Sequence, residues 1–382
     1  MNKIKVMCVF GTRPEAAKMA PVIAEMRTFA EIEPIVCVTA QHRGMLDQIL
    51  HAFDIKPDYD LDIMKDGQTV TDITINSLSG LEWIFKAARP DMALVHGDTT
   101  TTLAGALAAF YNGVKLGHVE AGLRTYDKTQ PYPEEMNRSL TARLADAHFA
   151  PTATAKANLL KENISSGAIF VTGNTAIDAI KTTTRPDYVF AEKQLNDVDF
   201  SERRVIAMTA HRRENLGKPL EDICRAVKDI ANRFDDVEVV YAVHKNPAVL
   251  DIARKILGDC PRVRLTPPLD LNDMHNLMAR SYMVMTDSGG LQEEALELGK
   301  PTLVLRNVTE RPEGIATGAL KLCGVNASAI ISAASELLSD RNVYDKMRRA
   351  KNPFGDGFAA RRIVKAILFL FGASPERPED FV

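Results

Sequence analysis

The chain has 382 residues, more than one hydrophobic core usually holds, so two domains are expected. Hydrophobic residues make up 46% and charged residues 25%, with a net charge of -3, which describes a globular chain without a basic field to gather nucleic acid. Five cysteines at 8, 37, 224, 260 and 323 show no metal or redox spacing, and their odd number argues against a disulfide framework, so a reduced, cytoplasmic setting is expected.

The first apolar run, 6–10, is too short for a secretory leader, and the longest C-terminal run, 366–371, is far short of a membrane span. Residues 4–10 read as a strand that ends in Gly11-Thr12-Arg13-Pro14-Glu15, with a helix to about 27. Proline at the start of that helix is well placed, because its missing N–H would be unpaired there. A strand at 35–38, a helix at 44–53, a loop at 57–68 and a long helix at 70–88 follow. A strand at 92–95 closes on His96-Gly97-Asp98, and four threonines lead into a helix at 103–111. The strand at 114–119 ends in Glu120-Ala121-Gly122-Leu123-Arg124. A Pro131-Tyr132-Pro133 loop then precedes a helix opening on Glu134-Glu135. Repeated strand, loop and helix is the pattern of an open parallel sheet with helices on both faces.

The pattern restarts beyond about 170, with an irregular polar stretch at 183–203. A strand at 204–209 ends in Ala210-His211-Arg212-Arg213-Glu214-Asn215. Helices are expected at 219–234, 246–257 and 270–280, and strands at 237–243, 263–265, 282–285 and 302–305. The strand at 282–285 runs into a Ser288-Gly289-Gly290 turn and then a helix. The last helix, 359–371, is expected to pack back on the first domain. The fold class predicted is therefore α/β, with two doubly wound halves, 1–170 and 171–358, facing each other across a cleft lined by strand C-termini.

Five polar or charged clusters sit where strands end: 11–15, 96–101, 118–124, 210–215 and 287–294. In a parallel sheet those ends share one edge. The Ser-Gly-Gly turn exposes backbone N–H groups and a helix N-terminus adds partial positive charge, which suits a diphosphate. Glu294, one turn into that helix, is placed to accept from a ribose diol. Arg13 suits a phosphate clamp, since guanidinium gives two parallel hydrogen bonds. Lys18 projects either to the same site or to solvent.

Asp98, Glu120 and Glu134 are carboxylates on these loops. Crowded in a partly dry site they raise one another's pKa, which suits acid–base work on a carbon. Asp98 is equally placed to cap the threonine-led helix, and Glu134 to pair with Arg138 at i+4. His211 can bind phosphate or carry a proton. His96, His118, His244 and His275 read as structural. Asp58-Tyr59-Asp60-Leu61-Asp62 has the spacing of a metal motif, but it reads as a solvated acidic loop. Neither Gly-x-Gly-x-x-Gly after the first strand nor a Walker-type phosphate loop is present, and no metal and no cofactor are expected.

These stretches resemble one family, the non-hydrolysing UDP-N-acetylglucosamine 2-epimerases. The matching motifs are Phe10-Gly-Thr-Arg-Pro-Glu-Ala16, Thr39-Ala-Gln-His-Arg43, Val95-His-Gly-Asp-Thr-Thr-Thr-Thr102 and Gly117-His-Val-Glu-Ala-Gly-Leu-Arg124. Pro131-Tyr-Pro-Glu-Glu-Met-Asn-Arg138, Thr209-Ala-His-Arg-Arg-Glu-Asn215, Thr286-Asp-Ser-Gly-Gly-Leu-Gln-Glu-Glu294 and Thr309-Glu-Arg-Pro-Glu313 complete the set. The resemblance implies a GT-B-like fold of two Rossmann-like domains. It implies interconversion of UDP-GlcNAc and UDP-ManNAc through UDP elimination, a 2-acetamidoglucal intermediate and re-addition, supplying ManNAc units for surface polysaccharide.

By that resemblance Asp98, Glu120, Glu134 and His211 are catalytic. Arg13, Lys18, Arg138, Ser288, Gly289, Gly290, Glu294 and Arg311 bind UDP or sugar. Gln41, His42 and Gln68 match a second, activating UDP-GlcNAc site, although Gly67 stands where some members carry arginine. A homodimer is implied, with no nucleic-acid or membrane partner. A retaining glycosyltransferase of the same fold, or a non-catalytic UDP-sugar-binding protein, are the alternative functions.

Overall fold

A computed structural model describes residues 3–309 and 311–382; Met1, Asn2 and Glu310, the last within the 309–313 motif, lie outside the described residues. The chain forms two compact units. The first holds strands β1 (Ile4–Phe10), β2 (Ile32–Val38), β3 (Tyr59–Asp60), β4 (Met92–His96), β5 (Lys115–Val119), β6 (Ala147–Ala150) and β7 (Ile169–Val171). Its helices are α1 (Arg13–Met26), α2 (Gly44–Ala52), α3 (Val70–Ala88), α4 (Thr100–Tyr111), α5 (Glu134–Leu144), α6 (Ala153–Lys161) and the first half of α7 (Thr175–Thr183). The second unit holds β8 (Arg204–Thr209), β9 (Val237–Ala242), β10 (Val263–Thr266), β11 (Met283–Thr286), β12 (Thr302–Val304) and β13 (Leu320–Leu322). Its helices are α8 (Lys218–Arg233), α9 (Pro247–Leu257), α10 (Leu271–Arg280), α11 (Gly289–Glu297), α12 (Pro312–Ala316), α13 (Ala327–Ser339) and α14 (Arg341–Arg348). The last helix, α15 (Ala359–Leu370), belongs to the first unit.

Both sheets are parallel and share one topology. The first runs β3-β2-β1-β4-β5-β6-β7 and the second β10-β9-β8-β11-β12-β13. In each, the chain starts at a central strand, winds outward one way, then returns and winds the other way. The switch points lie between β1 and β4 and between β8 and β11, where adjoining loops diverge and leave a crevice at the strand C-termini.

The strands are legible as apolar runs because both faces are covered. On β8, Ile206 and Met208 enter one core cluster while Val205 and Ala207 enter another, so alternate side chains serve opposite faces. A fully buried side chain of this size contributes about 1.5–3 kcal/mol. Local signals set the helix ends. Thr69 Oγ1 accepts from the Asp72 N–H at 3.1 Å while Asp72 Oδ2 accepts from the Thr69 N–H at 2.8 Å, which starts α3 with a reciprocal cap.

Two local expectations differ from the structure. The 57–68 loop contains β3, whose two residues pair with Cys37 and Val38 and lengthen the sheet. Residues 147–171, for which no element is predicted, supply β6 and β7 on either side of α6, and these extend the first sheet by two strands. A boundary near 170 would cut β7, which pairs with β6; the division falls between Ala179 and Ile180. Ile180 packs into a core of the second unit, whereas Ile177 lies against Gly355 of the first.

The second division, between Pro353 and Phe354, returns the C-terminal segment to the first unit. There α15 packs on α1, and Asp178 accepts from the Ala359 and Ala360 N–H groups at the helix start, at 3.2 and 2.9 Å. The tail then closes the edge strand β7. Asp380 Oδ1 accepts from the Val171 N–H at 2.9 Å, and the Phe381 N–H donates to the Val171 carbonyl at 2.7 Å. Among the described residues no helix is long and apolar enough to cross a membrane.

Candidate active site

The five polar clusters follow β1, β4, β5, β8 and β11, and four of these strands bound the two switch points. In the first unit the β1 and β4 ends are joined through Glu15, a carboxylate only 2% exposed. Its Oε2 accepts from the Gly11 N–H (3.0 Å), the Thr12 N–H (2.9 Å) and Thr12 Oγ1 (2.8 Å). Its Oε1 accepts from Thr99 Oγ1 (2.7 Å) and Thr102 Oγ1 (3.1 Å). Burial pushes the Glu15 pKa up, and the donors pull it back. Five donors compensate a charge that would be costly to bury alone. They also fix the residues on either side, Arg13 at the start of α1 and Asp98 ahead of α4.

The α4 N-cap is Thr99, whose Oγ1 accepts from the Thr102 N–H at 3.1 Å. Asp98 therefore does not serve as the cap, and its carboxylate turns to Arg138, 3.5 Å away. With 29% of its side chain exposed, Asp98 titrates at about 6. Burial is the largest cause; Arg138 opposes it, Glu120 adds to it, Lys18 opposes it and Glu134 adds to it. An aspartate ordinarily titrates near 3.9, so this one exchanges a proton near neutral pH.

The expected Glu134–Arg138 pair is replaced by a different register. Arg138 Nε lies 2.8 Å from Glu135 Oε2, one position closer in the helix. Glu135 also accepts from the Thr125 N–H at 3.1 Å and the Tyr126 N–H at 2.9 Å, which anchors the loop before α5. Glu134 Oε2 is buried without a hydrogen-bond partner. Of two adjacent glutamates, one is consumed by structure and the other holds an unused acceptor.

Glu120 sits at the end of β5 with φ of 63°, a left-handed conformation that costs a non-glycine residue about 1–2 kcal/mol. Lys18 is ion-paired with its Oε1 rather than solvated, and Asn174 Nδ2 donates to the same atom at 3.1 Å. Gly97, at φ of 68°, lets the β4 turn approach Glu120, whose Oε2 would lie 3.4 Å from any Cβ placed there. His96 Nε2 stands 3.9 Å from that Oε2, and burial first of all lowers its pKa to about 4, so His96 is neutral at pH 7. His118 Nε2–H donates to the Gly97 carbonyl at 2.7 Å.

Gln41 and Gln68 lie together beside this cluster. Thr101 Oγ1 donates to Gln41 Oε1 at 3.0 Å, Gln68 Nε2 donates to the Gln41 carbonyl at 3.1 Å, and His42 is exposed next to them. The acidic 58–62 segment is occupied structurally: Asp58 accepts from the Val36 N–H, and Arg43 pairs with Asp60 and Asp62. Among the described residues no group of three or more His, Cys, Asp or Glu side chains is arranged to hold a metal ion.

In the second unit Gly289 and Gly290 are the first residues of α11 rather than a turn before it, and neither has positive φ. A Cβ on Gly289 would meet the Arg311 guanidinium at 3.4–3.6 Å, so Arg311 lies directly over the helix N-terminus. Ser288, the N-cap, makes no side-chain cap bond. Arg311 Nε is held by Glu293 at 2.6 Å. Glu294 Oε2 lies 3.3 Å from His275 Nε2, while His275 Nδ1 meets Thr183 Oγ1 at 2.6 Å. A helix N-terminus, an arginine and a carboxylate thus lie together at this end, an arrangement whose chemistry can accommodate an anion and hydroxyl donors. His211 follows β8, and its ring stacks on His244 at 5.3 Å with planes 8° apart.

A family model described as UDP-N-acetylglucosamine 2-epimerase matches residues 24–368. The chain belongs to the non-hydrolysing UDP-N-acetylglucosamine 2-epimerase family. It is 56% identical over 381 residues to the UDP-N-acetylglucosamine 2-epimerase of Bacillus subtilis, covering 100% of this chain and 99% of that protein. The S. aureus MnaA–UDP co-structure matches with a TM-score of 0.87 and 51% identity over 99% of this chain and 100% of that one. The UDP-GlcNAc 2-epimerase of Neisseria meningitidis bound to UDP-GlcNAc matches with a TM-score of 0.86 and 45% identity over 95% of this chain and 99% of that one. Membership makes the chain an isomerase with a GT-B-like pair of Rossmann-like units.

Within this epimerase frame the sequence motifs pass over three supporting residues. Glu15 and Asp287 are buried carboxylates that accept from the loops beside them, and His275 Nε2 lies close to Glu294 Oε2. An acidic residue inside a strand-end motif is a signal for the first two. The contact of His275 on α10 with α11 leaves no local signature.

Proposed function

We propose that the protein interconverts UDP-GlcNAc and UDP-ManNAc at C2 by eliminating and re-adding UDP. The observation that carries this reading is Asp98, a carboxylate titrating at about 6 beside two further carboxylates in a chain of this family. The C2–H of the sugar is a weak acid, so its removal must accompany cleavage of the anomeric C1–O bond. The base takes the proton, the C2–H electron pair forms the C1–C2 double bond, and UDP leaves with the C1–O pair. The product is 2-acetamidoglucal. Reversal with protonation of C2 on the opposite face gives the epimer, so one group must sit on each face of the ring.

Asp98, Glu120 and Glu134 are the proton-transfer set, with His211 as a further acid–base group. Arg138 and Lys18 hold Asp98 and Glu120 respectively and contact the sugar as charge permits. Arg13, Ser288, Gly289, Gly290 and Arg311 stabilise the diphosphate, whose charge grows as the C1–O bond breaks. Glu294, beside His275, accepts from the ribose hydroxyls. Gln41, His42 and Gln68 form a second UDP-GlcNAc site that modulates turnover, and the protein works as a homodimer feeding surface-polysaccharide synthesis.

The test is incubation of the purified chain with UDP-GlcNAc alone. A stable mixture of the two nucleotide sugars supports the proposal. A requirement for an acceptor points instead to a glycosyltransferase, and accumulation of free ManNAc with UDP to a hydrolase.

A further inference from the structure

The loop carrying His211 is held by Asp287, a fully buried carboxylate at the end of β11. Its Oδ2 accepts three hydrogen bonds, from the His211 N–H (2.8 Å), the Arg212 N–H (2.8 Å) and Asn215 Nδ2 (3.0 Å). Asn215 Nδ2 also donates to the Leu305 carbonyl at 3.0 Å, and Tyr241 Oη donates to the Ala210 carbonyl at 2.8 Å. The loop backbone is thus pinned from three strands. The other carboxylate oxygen is treated differently. Asp287 Oδ1 is buried with no hydrogen-bond partner, and the imidazole Nδ1 of His211 lies 3.6 Å from it.

An anion with three donors on one oxygen and none on the other carries uncompensated charge, which burial makes expensive. A purely structural acceptor needs only Oδ2. The direction in which Oδ1 points supplies the second role. We propose that Asp287 is a positioning residue for His211: Oδ1 draws the proton to Nδ1, fixes that tautomer and leaves Nε2 as the nitrogen presented to the substrate. At 3.6 Å the contact is electrostatic rather than a hydrogen bond, and contacts of catalytic groups tighten when substrate is bound.

The groups facing the imidazole agree with a neutral ring whose tautomer matters. Burial lowers the His211 pKa most, Asp287 raises it, and the stacked His244 and neighbouring Arg212 lower it, for a net fall from the ordinary value. A neutral histidine has one N–H, and a carboxylate at Nδ1 selects which nitrogen bears it.

This inference rests on the proposed function only for the substrate that Nε2 meets; the tautomer itself is measurable without turnover. The full chain labelled with 15N-histidine is observed by long-range 1H–15N correlation at pH 7.5, with the His211 signals identified by their loss in His211→Gln. The wild type is expected as the Nδ1–H tautomer. In Asp287→Asn the amide oxygen keeps the three loop donors and the NH2 faces Nδ1, so the tautomer switches to Nε2–H. Turnover of UDP-GlcNAc then falls about 100-fold or more with KM changed only a few-fold, by the logic of an aspartate that orients a catalytic histidine. A wild-type Nε2–H tautomer overturns the proposal, and so does an unchanged tautomer in Asp287→Asn, whatever the activity. If that variant does not fold, the wild-type tautomer decides alone.

Discussion

Arg138 holds its guanidinium 3.5 Å from the Asp98 carboxylate, and this pairing still leaves Asp98 titrating at about 6. Burial and the charges of Glu120 and Glu134 outweigh the attraction of one arginine and of Lys18. An acid whose folded pKa lies above its unfolded value contributes stability below the unfolded pKa, near 3.9, that is lost as pH rises through 6. Asp98→Asn is therefore expected to unfold at higher denaturant concentration than wild type at pH 8, by about 1–3 kcal/mol, with the gain vanishing near pH 4. The same variant should lose turnover while still binding UDP in calorimetry. Wild-type turnover would remove Asp98 from the proton-transfer set.

Glu15 gathers five donors from two strand-end turns. Glu15→Ala leaves those donors buried without an acceptor, so thermal or urea unfolding should show a loss of about 3 kcal/mol or more. Turnover should fall with it, because Arg13 and Asp98 flank the anchored residues. A loss below about 1 kcal/mol would show that the turns hold without the carboxylate.

Three buried histidines stand on adjacent strands: His96, His118 and His148, held neutral chiefly by burial, with pKa values of about 4, 3 and 4. Each has a folded pKa below the unfolded value near 6.5, so its contribution is present above pH 6.5 and is lost as pH falls toward 4. Unfolding at pH 5 should take up protons at these sites, and ΔG of unfolding should decrease from pH 7 to 5. His118→Phe should flatten that slope. A slope unchanged by the substitution would mean that His118 does not contribute to it.

Gly289 keeps the α11 N-terminus open beneath Arg311. Gly289→Ala places a methyl group in ordinary contact with the guanidinium, so the fold should survive with a near-native melting temperature. The methyl group fills space over the N–H groups of the helix start, and UDP affinity should fall about tenfold, or about 1.4 kcal/mol. Native affinity would mean that the diphosphate does not approach this helix end.

How far the sequence carries the structure depends on the length scale of each signal. Residues 204–209 read as a strand because both faces are covered and the side chains from Val205 to Met208 are all apolar. The two residues of β3 carry no such run; their pairing is set by β2 beside them. Strand-end clusters were legible because parallel topology collects those ends by rule. Capping and pairing choices within a cluster were not. Thr99 and Asp98 are both good caps, and Glu134 and Glu135 both lie within one turn of Arg138; packing against the rest of the unit decided each case. The Glu294–His275 contact joins two helices, and neither residue type announces the other.

Deuterium incorporation at C2 tests proton transfer coupled to UDP departure most directly. UDP-GlcNAc is incubated with the protein alone in D2O and the sugar is followed by 1H NMR. The expected result is loss of the C2 proton signal from both nucleotide sugars as the epimers equilibrate, with Asp98→Asn inactive in the same assay. Epimer formation with C2 fully protonated, or no reaction until an acceptor is added, would contradict it.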